Sequence, residues 1–368
     1  MERRDYQRAR LEFLDGLRAL LAIKVALLHA GYFFILPQYA YWFGERTFAV
    51  ASFITISGFV LYLPSAAAGS VMMKRSFGEY LKRRAIRLLP AWYAGLLFAC
   101  LILSVMAWLK LPRAMPFEQS WPSLLWHASF LHSWHPEHIF SLNSALWFMG
   151  FELQLSLLLP LFLLLARRFG WWVLLLIGIG LTLPLSGPLG IVRTMFSPTL
   201  TFPFIVGIIA ARIARRPDLI FHGFNERKIA ICVCCAFIVS TALYIWSDYI
   251  ERGVLISCFA SLACASFLVQ MTYFKDSWWQ RVLSSRPLKF IGGFSYSLFL
   301  VHEPVARFVG GATRDLAFDP TARLFLVFLP CMLLILALSY LFYLAFERPF
   351  IRWNERRKQR PITASNLS

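Results

Sequence analysis

The sequence predicts an all-α, polytopic membrane protein of about ten transmembrane helices with both termini cytoplasmic. Three observations carry this expectation. The 368 residues are 59% hydrophobic and only 15% charged, against about 25% charged in a soluble protein, and the mean hydropathy is +0.62. Apolar runs of span length recur along the chain, filled with Leu, Phe, Ile and Val without the alternation of a barrel strand. Lys and Arg gather on every second loop, the bias that marks cytoplasmic segments. That bias also accounts for the net charge of +18 with no nucleic-acid partner. Disordered, coiled-coil and secreted disulfide-scaffold classes are excluded by the composition.

The apolar runs fall near 14–36, 46–66, 90–109, 144–166, 171–190, 196–213, 229–247, 253–274, 291–310 and 323–346. A spanning helix needs roughly 20 mostly apolar residues. Residues 1–13 read as a cytoplasmic segment with Arg3, Arg4, Arg8 and Arg10. The first run contains Arg18, Lys24 and His29, so a retained helix is expected rather than a cleaved signal peptide. With the N-terminus inside, Lys and Arg favour the inside loops by roughly three to one, and only an even number of spans preserves that alternation. The transmembrane domain is expected over 14–347, with a basic cytoplasmic tail at 348–368. Phe77–Leu89 reads as a basic amphipathic helix on the membrane surface, and Pro90 as the opening residue of the third span. The outer connection 111–143 is rich in Trp and His (Trp121, Trp126, Trp134, His127, His132, His135, His138). Pro136 interrupts its histidine spacing and no carboxylate sits as in a hydrolase motif, so no metal is expected. All seven cysteines lie in apolar runs, an odd number that suits small buried hydrophobes better than a disulfide framework.

Ionisable side chains inside the hydrocarbon are costly, so each one marks a candidate site. Arg18 and His29 are eleven residues apart. On an α-helix that places them within about 20° of one face and about 16 Å apart along the axis. Asp15 can pair with Arg18 at i, i+3. Arginine offers a planar fork of donors to anionic groups, and histidine can take a proton from a hydroxyl. Arg84 and Arg87 share a second face and suit phosphate. Glu152 lies nine residues beyond Asn143 and is expected to pair with a histidine or arginine at mid-depth; pairing with His29, at similar depth, would orient its ring. His302 is a further histidine at mid-to-outer depth, and Glu303-Pro304 suggests a kink. Glu347 is expected to neutralise one of the three arginines.

These motifs together resemble the acyltransferase-3 family of membrane O-acetyltransferases. The resemblance covers about 11–353. Phe13-Leu14-Asp15-Gly16-Leu17-Arg18 with His29 is similar to the family's Arg-x10-His signature. Arg84-Ala85-Ile86-Arg87 before Pro90 is similar to its R-x-x-R motif. Leu146-Trp147 through Glu152 and Pro160, Ser295-Tyr296-Ser297 through His302-Glu303-Pro304, and Glu347-Arg348-Pro349 follow in the same order. Phe148-Met149-Gly150 and Glu303 depart from the commoner family residues without removing a titratable group. The resemblance implies acetyl (acyl) transfer from cytosolic acetyl-CoA to a hydroxyl of a surface or exported carbohydrate, in the bacterial inner membrane. It implies Arg18, Arg84, Arg87, Asp15 and Glu347 at the acyl-CoA, and His29, Glu152 and Arg18 at the chemistry. Asn143, Trp147, His302 and Glu303 would face the carbohydrate. Membrane lipid is the surrounding partner, and a homo-oligomer is left open. A glycan transporter or flippase would also bury ionisable groups, but no internal inverted repeat is visible.

Overall fold

The computed structural model describes residues 12–36, 47–73, 76–112, 120–135, 137–182, 197–216, 226–249, 253–273 and 277–359. These residues form helices and connections, and no strand occurs among them. Helix α1 (Glu12–Leu28) continues as a π-helical turn, His29–Ile35. It is followed by α2 (Thr47–Ala67), α3 (Phe77–Trp108) and a short α4 (Trp121–Ala128). Then come α5 (Trp147–Phe169), α6 (Trp172–Thr182), α7 (Thr201–Arg215), α8 (Glu226–Tyr249) and α9 (Gly253–Tyr273). Two short helices, α10 (Trp278–Leu283) and α11 (Arg286–Gly293), lead into α12 (Ser295–Ala312). The last rod runs through α13 (Pro320–Arg323), α14 (Leu329–Phe342) and α15 (Arg348–Gln359), joined by π-helical turns at Leu324–Phe328 and Tyr343–Glu347.

Every expected apolar run carries a helix. Six are long and apolar enough to cross a membrane: α2, α3, α5, α8, α9 and the last rod. The other four runs give α1, α6, α7 and α12. The first three are short, at 17, 11 and 15 residues, and α12 carries His302, Glu303 and Arg307 within 18. Part of the run at 171–190 and the N-terminal segment 1–11 lie outside the described residues.

One expectation is corrected. Phe77–Leu89 is not a separate surface helix, and Pro90 does not open a span. Helix α3 runs unbroken for 32 residues with Pro90 inside it. The Ser76 hydroxyl caps its start by accepting from Glu79 N. The basic run Lys82–Leu89 is built mostly of good helix formers, Lys, Arg, Ala and Leu.

In a bilayer an interior proline is tolerated when another donor reaches the carbonyl it leaves without a partner. Two such repairs are visible. Pro160 cannot donate to the Ser156 carbonyl, and the Tyr80 hydroxyl donates to it instead at 2.8 Å. Pro304 frees the Leu300 carbonyl, and Asn143 Nδ2 donates to that oxygen at 3.0 Å. Asn143 Oδ1 in turn accepts from Ala145 N at 2.9 Å, so both ends of this buried amide are spent on the backbone. An Asn143→Leu variant is expected to lose about 1–3 kcal/mol, the cost of a buried polar group left unsatisfied. A lowered Tm of the purified protein reads this out; an unchanged Tm contradicts the brace.

Glycines set two close helix crossings. A Cβ at Gly58 would lie 2.1 Å from the Phe204 carbonyl oxygen, and one at Gly207 would lie 2.0 Å from that of Thr55. Helices α2 and α7 thus meet backbone to backbone, the contact that small residues permit in lipid. Gly16 and Gly292 do the same for α1 against α10 and α11, with 1.9 Å to Leu283 O and 2.0 Å to Asp15 O. This second crossing brings Asp15 and Arg18 to the start of α12.

Candidate active site

A cavity of about 200 Å³ lies among α1, α2, α3, α5, α12 and the last rod. Its charged lining is Asp15, Arg18, Arg84, Arg87, Glu152 and Glu347, all six singled out from the sequence. Asp15 and Arg18 pair at 3.6 Å. Arg84 Nη2 faces Glu152 Oε1 at 3.9 Å, an ion pair too long for a hydrogen bond. Glu152 Oε1 accepts from Ser57 Oγ at 2.6 Å. Glu347 Oε2 accepts from Ser297 Oγ at 2.6 Å, and the charge of Arg87 also acts on Glu347. The Tyr296 hydroxyl donates to Leu88 O at 3.1 Å, tying α12 to α3 beside the two arginines. Arg84 Nε and Nη2 are buried and make no hydrogen bond among the described residues. Two charged donors are therefore held at a cavity wall with capacity unspent, which is uncommon for buried polar atoms.

The cavity is lined at another part by Phe53, Phe148 and Phe299. Phe299 meets Phe53 and Phe148 edge to face, with centroids 4.7 and 5.3 Å apart. The Phe299 ring also meets the His302 ring at 5.9 Å and 84°. His302 Nε2 lies 2.9 Å from His29 Nδ1. A single aromatic ring thus touches both the arginine cavity and the histidine pair.

Two readings of this region change. His29 is not among the residues lining the arginine cavity, although it shares a helix with Arg18. Helix α1 gives way to the π-helical turn at His29, this turn packs on α12, and the ring is carried to His302. Glu152 does not pair with His29. Its contacts among the described residues are Ser57 and Arg84, which meet the cost of a carboxylate at that depth. Lys24 sits over the Phe48 ring at 4.9 Å.

The four residues expected at the second substrate divide. His302 belongs to the histidine pair. Asn143 braces α12. Glu303 is 0% exposed, ion-paired with Arg307 and accepts from Ser144 Oγ at 3.0 Å. Trp147 is half-buried and packs on Phe148 at 5.9 Å. Sequence reasoning missed Ser57, Phe53 and Phe299, and it met Ser297 and Phe148 only as motif residues without a role. The serines are polar residues in apolar runs, a weak signal; the phenylalanines look like any other core residue.

The described residues between α3 and α5 fold into a compact unit, called the cap. The Trp92 indole Nε1 donates to His127 O at 3.2 Å, and the His127 and His132 rings stack at 4.0 Å and 11°. Burial holds the His127 imidazole well below its ordinary value and pushes His132 down to about 4. The folded cap therefore refuses protons that the unfolded chain accepts below about pH 6.5. Its stability is full above that pH and falls as pH drops toward 4. Protection factors for hydrogen exchange over 121–146, corrected for the intrinsic pH dependence of exchange, are expected to fall on acidification, and a His132→Phe variant to lessen the dependence. A flat profile in the wild type contradicts this.

Fold and site together define the class: a polytopic helical membrane protein with a buried cavity of arginines and carboxylates and a histidine pair beside it. A family model described as an acyltransferase domain matches residues 11–344, and the chain belongs to this acyltransferase-3 family. Among curated proteins it is similar to the O-acetyltransferase OatA of Staphylococcus aureus strains NCTC 8325 / PS 47 and COL. Each is 25% identical over 341 residues, covering 84% of this chain and 54% of the relative. The chain thus spans about half the length of the curated relatives it matches. No solved structure matches it significantly.

Proposed function

We propose that the protein is a membrane O-acyltransferase that moves an acetyl group from cytosolic acetyl-CoA to a hydroxyl of a surface or exported carbohydrate. Family membership supports acyl transfer, and the relative's name supports O-acetyl transfer. The observation that carries the donor assignment is the convergence of Arg18, Arg84 and Arg87 on one cavity, with Arg84 holding buried donors unspent. Charge-assisted hydrogen bonds to phosphate would use them. These residues lie in or beside segments whose loop charge suits the cytoplasmic side, and the family resemblance suits a bacterial inner membrane. The Trp- and His-rich cap lies on segments assigned outside, where aromatic rings suit a sugar face.

In this reading Arg84 and Arg87 hold the phosphates of acetyl-CoA, and Arg18, steadied by Asp15, guides its arm toward Phe299. A shift of the Phe299 ring admits the thioester to His29. His29 takes the proton of the acceptor hydroxyl as the oxygen attacks the thioester carbonyl. The C–S bond breaks, and His29 returns the proton to the departing thiolate. Glu152 serves here by holding Arg84 rather than by orienting His29. Incubation of purified protein with labelled acetyl-CoA and a polysaccharide acceptor tests the reading. Label in the acceptor, together with free CoA, supports it. Movement of a glycan across vesicles without CoA consumption overturns it in favour of a transporter.

A further inference from the structure

An imidazole works as a base only at the nitrogen that lacks a proton, and its neighbours decide which nitrogen that is. His302 Nδ1 lies 2.8 Å from the Leu298 carbonyl oxygen. A carbonyl only accepts, so His302 Nδ1 carries the hydrogen. His302 is 1% exposed and no carboxylate among the described residues hydrogen-bonds it. A charged ring there would carry a heavy desolvation cost. In the neutral ring Nε2 is an acceptor, and that atom faces His29 Nδ1 at 2.9 Å. The two ring planes are 17° from parallel with centroids 5.0 Å apart, a separation that a 2.9 Å nitrogen–nitrogen contact leaves only when the two nitrogens point at each other. This is an edge-to-edge contact with the lone pair in plane, unlike the 4.0 Å face stack of His127 and His132. His29 Nδ1 therefore donates, and the lone pair of His29 resides on Nε2.

We infer that His302 is a positioning residue: the α12 backbone, acting through Leu298, fixes the His302 tautomer, and His302 fixes His29 with its proton on Nδ1 and its basic lone pair on Nε2. This rests on the reading of His29 as the base. It gives to a neutral imidazole the orienting role that a carboxylate plays in hydrolytic triads. Glu152, the carboxylate the sequence offered for that role, is committed to Ser57 and Arg84. It also gives the Asn143 brace a purpose, since Asn143 secures the Leu300 carbonyl within the same turn of α12 that aims His302.

The test compares wild type with His302→Ala and His302→Gln, each labelled with 15N-histidine and purified as the full chain. Ring-nitrogen shifts distinguish a protonated from an unprotonated nitrogen, and His29→Ala assigns the signals. The wild type is expected to show His29 protonated on Nδ1 and bare on Nε2. In His302→Ala a fraction of His29 moves to the other tautomer. Its kcat falls by about a hundredfold to ten-thousandfold, the range of acid–base and wrong-tautomer losses, with an unchanged KM for acetyl-CoA. Glutamine can accept through its amide oxygen, so His302→Gln restores the wild-type tautomer and recovers most of the lost kcat. A wild-type His29 protonated on Nε2 overturns the inference whether or not any variant folds. So does a folded His302→Ala with wild-type kcat, or a folded His302→Gln no better than alanine. Full activity of His29→Ala would instead remove the proposed base, while the tautomer measurement would still report on the pair.

Discussion

Replacing His29 by alanine is expected to lower acetyl transfer by about a thousandfold, the middle of the range for a lost general base, while leaving the protein folded in the membrane. The side chain sits at the junction of α1 and its π-helical turn. The buried face of α1 is built from other residues, among them Phe13, Leu21, Ala22 and Ala26. Alanine is the best helix former, so the backbone loses little. The arginine cavity does not include His29, so acetyl-CoA should still bind with near wild-type affinity. Loss of turnover with retained binding therefore separates a chemical role from a structural one. Labelled acetyl-CoA gives both readouts: equilibrium binding to purified protein and label transferred to acceptor. Wild-type turnover in the alanine variant would remove His29 from the mechanism.

The charged part of the site was legible in the sequence because the bilayer makes it so. Asp15, Arg18, Arg84, Arg87, Glu152 and Glu347 stand out in or beside apolar runs, where such groups persist only for a reason. The fold gathers all six on one cavity. Their pairing was less legible. Spacing of about 100° per residue holds for a regular α-helix, and His29 begins a π-helical turn that apolar periodicity does not reveal. The expected bond to Glu152 depended on equal depth, and depth says nothing of direction around a helix. Ser57 was the hidden term, since a hydroxyl on α2 is enough to redirect a carboxylate. Phe53 and Phe299 were invisible, and Phe148 stood out only as a departure from the family pattern, for a different reason: a phenylalanine in a hydrophobic run carries no mark of the cavity it borders. The prolines were seen as breaks, but their repair by Tyr80 and Asn143 lies 76 and 157 residues away in sequence.

Charge reversal at Arg84 and Arg87 is expected to raise the KM for acetyl-CoA by at least tenfold to a hundredfold per site. A hydrogen bond to a charged group contributes about 1.5–3 kcal/mol, and reversal adds repulsion of the phosphates. A loss of ground-state and transition-state binding together appears in KM rather than kcat. Arg84→Glu alone carries a confounding cost, because it sets a second carboxylate opposite Glu152, where the guanidinium now stands at 3.9 Å. Like charges about 4 Å apart at an effective dielectric of 20 repel by about 4 kcal/mol, enough to disturb α3 against α5. The swap Arg84→Glu with Glu152→Arg removes that ambiguity, since it restores the ion pair with its polarity reversed. If Arg84 only balances Glu152, the swap recovers both stability and the wild-type KM. If Arg84 binds the donor through the Nε and Nη2 groups that lack hydrogen bonds, the swap recovers the Tm but leaves the KM high, because the guanidinium now hangs from α5. A swapped protein with wild-type affinity for acetyl-CoA would move the phosphate site away from Arg84 and leave Arg18 and Arg87 as the donor-binding pair.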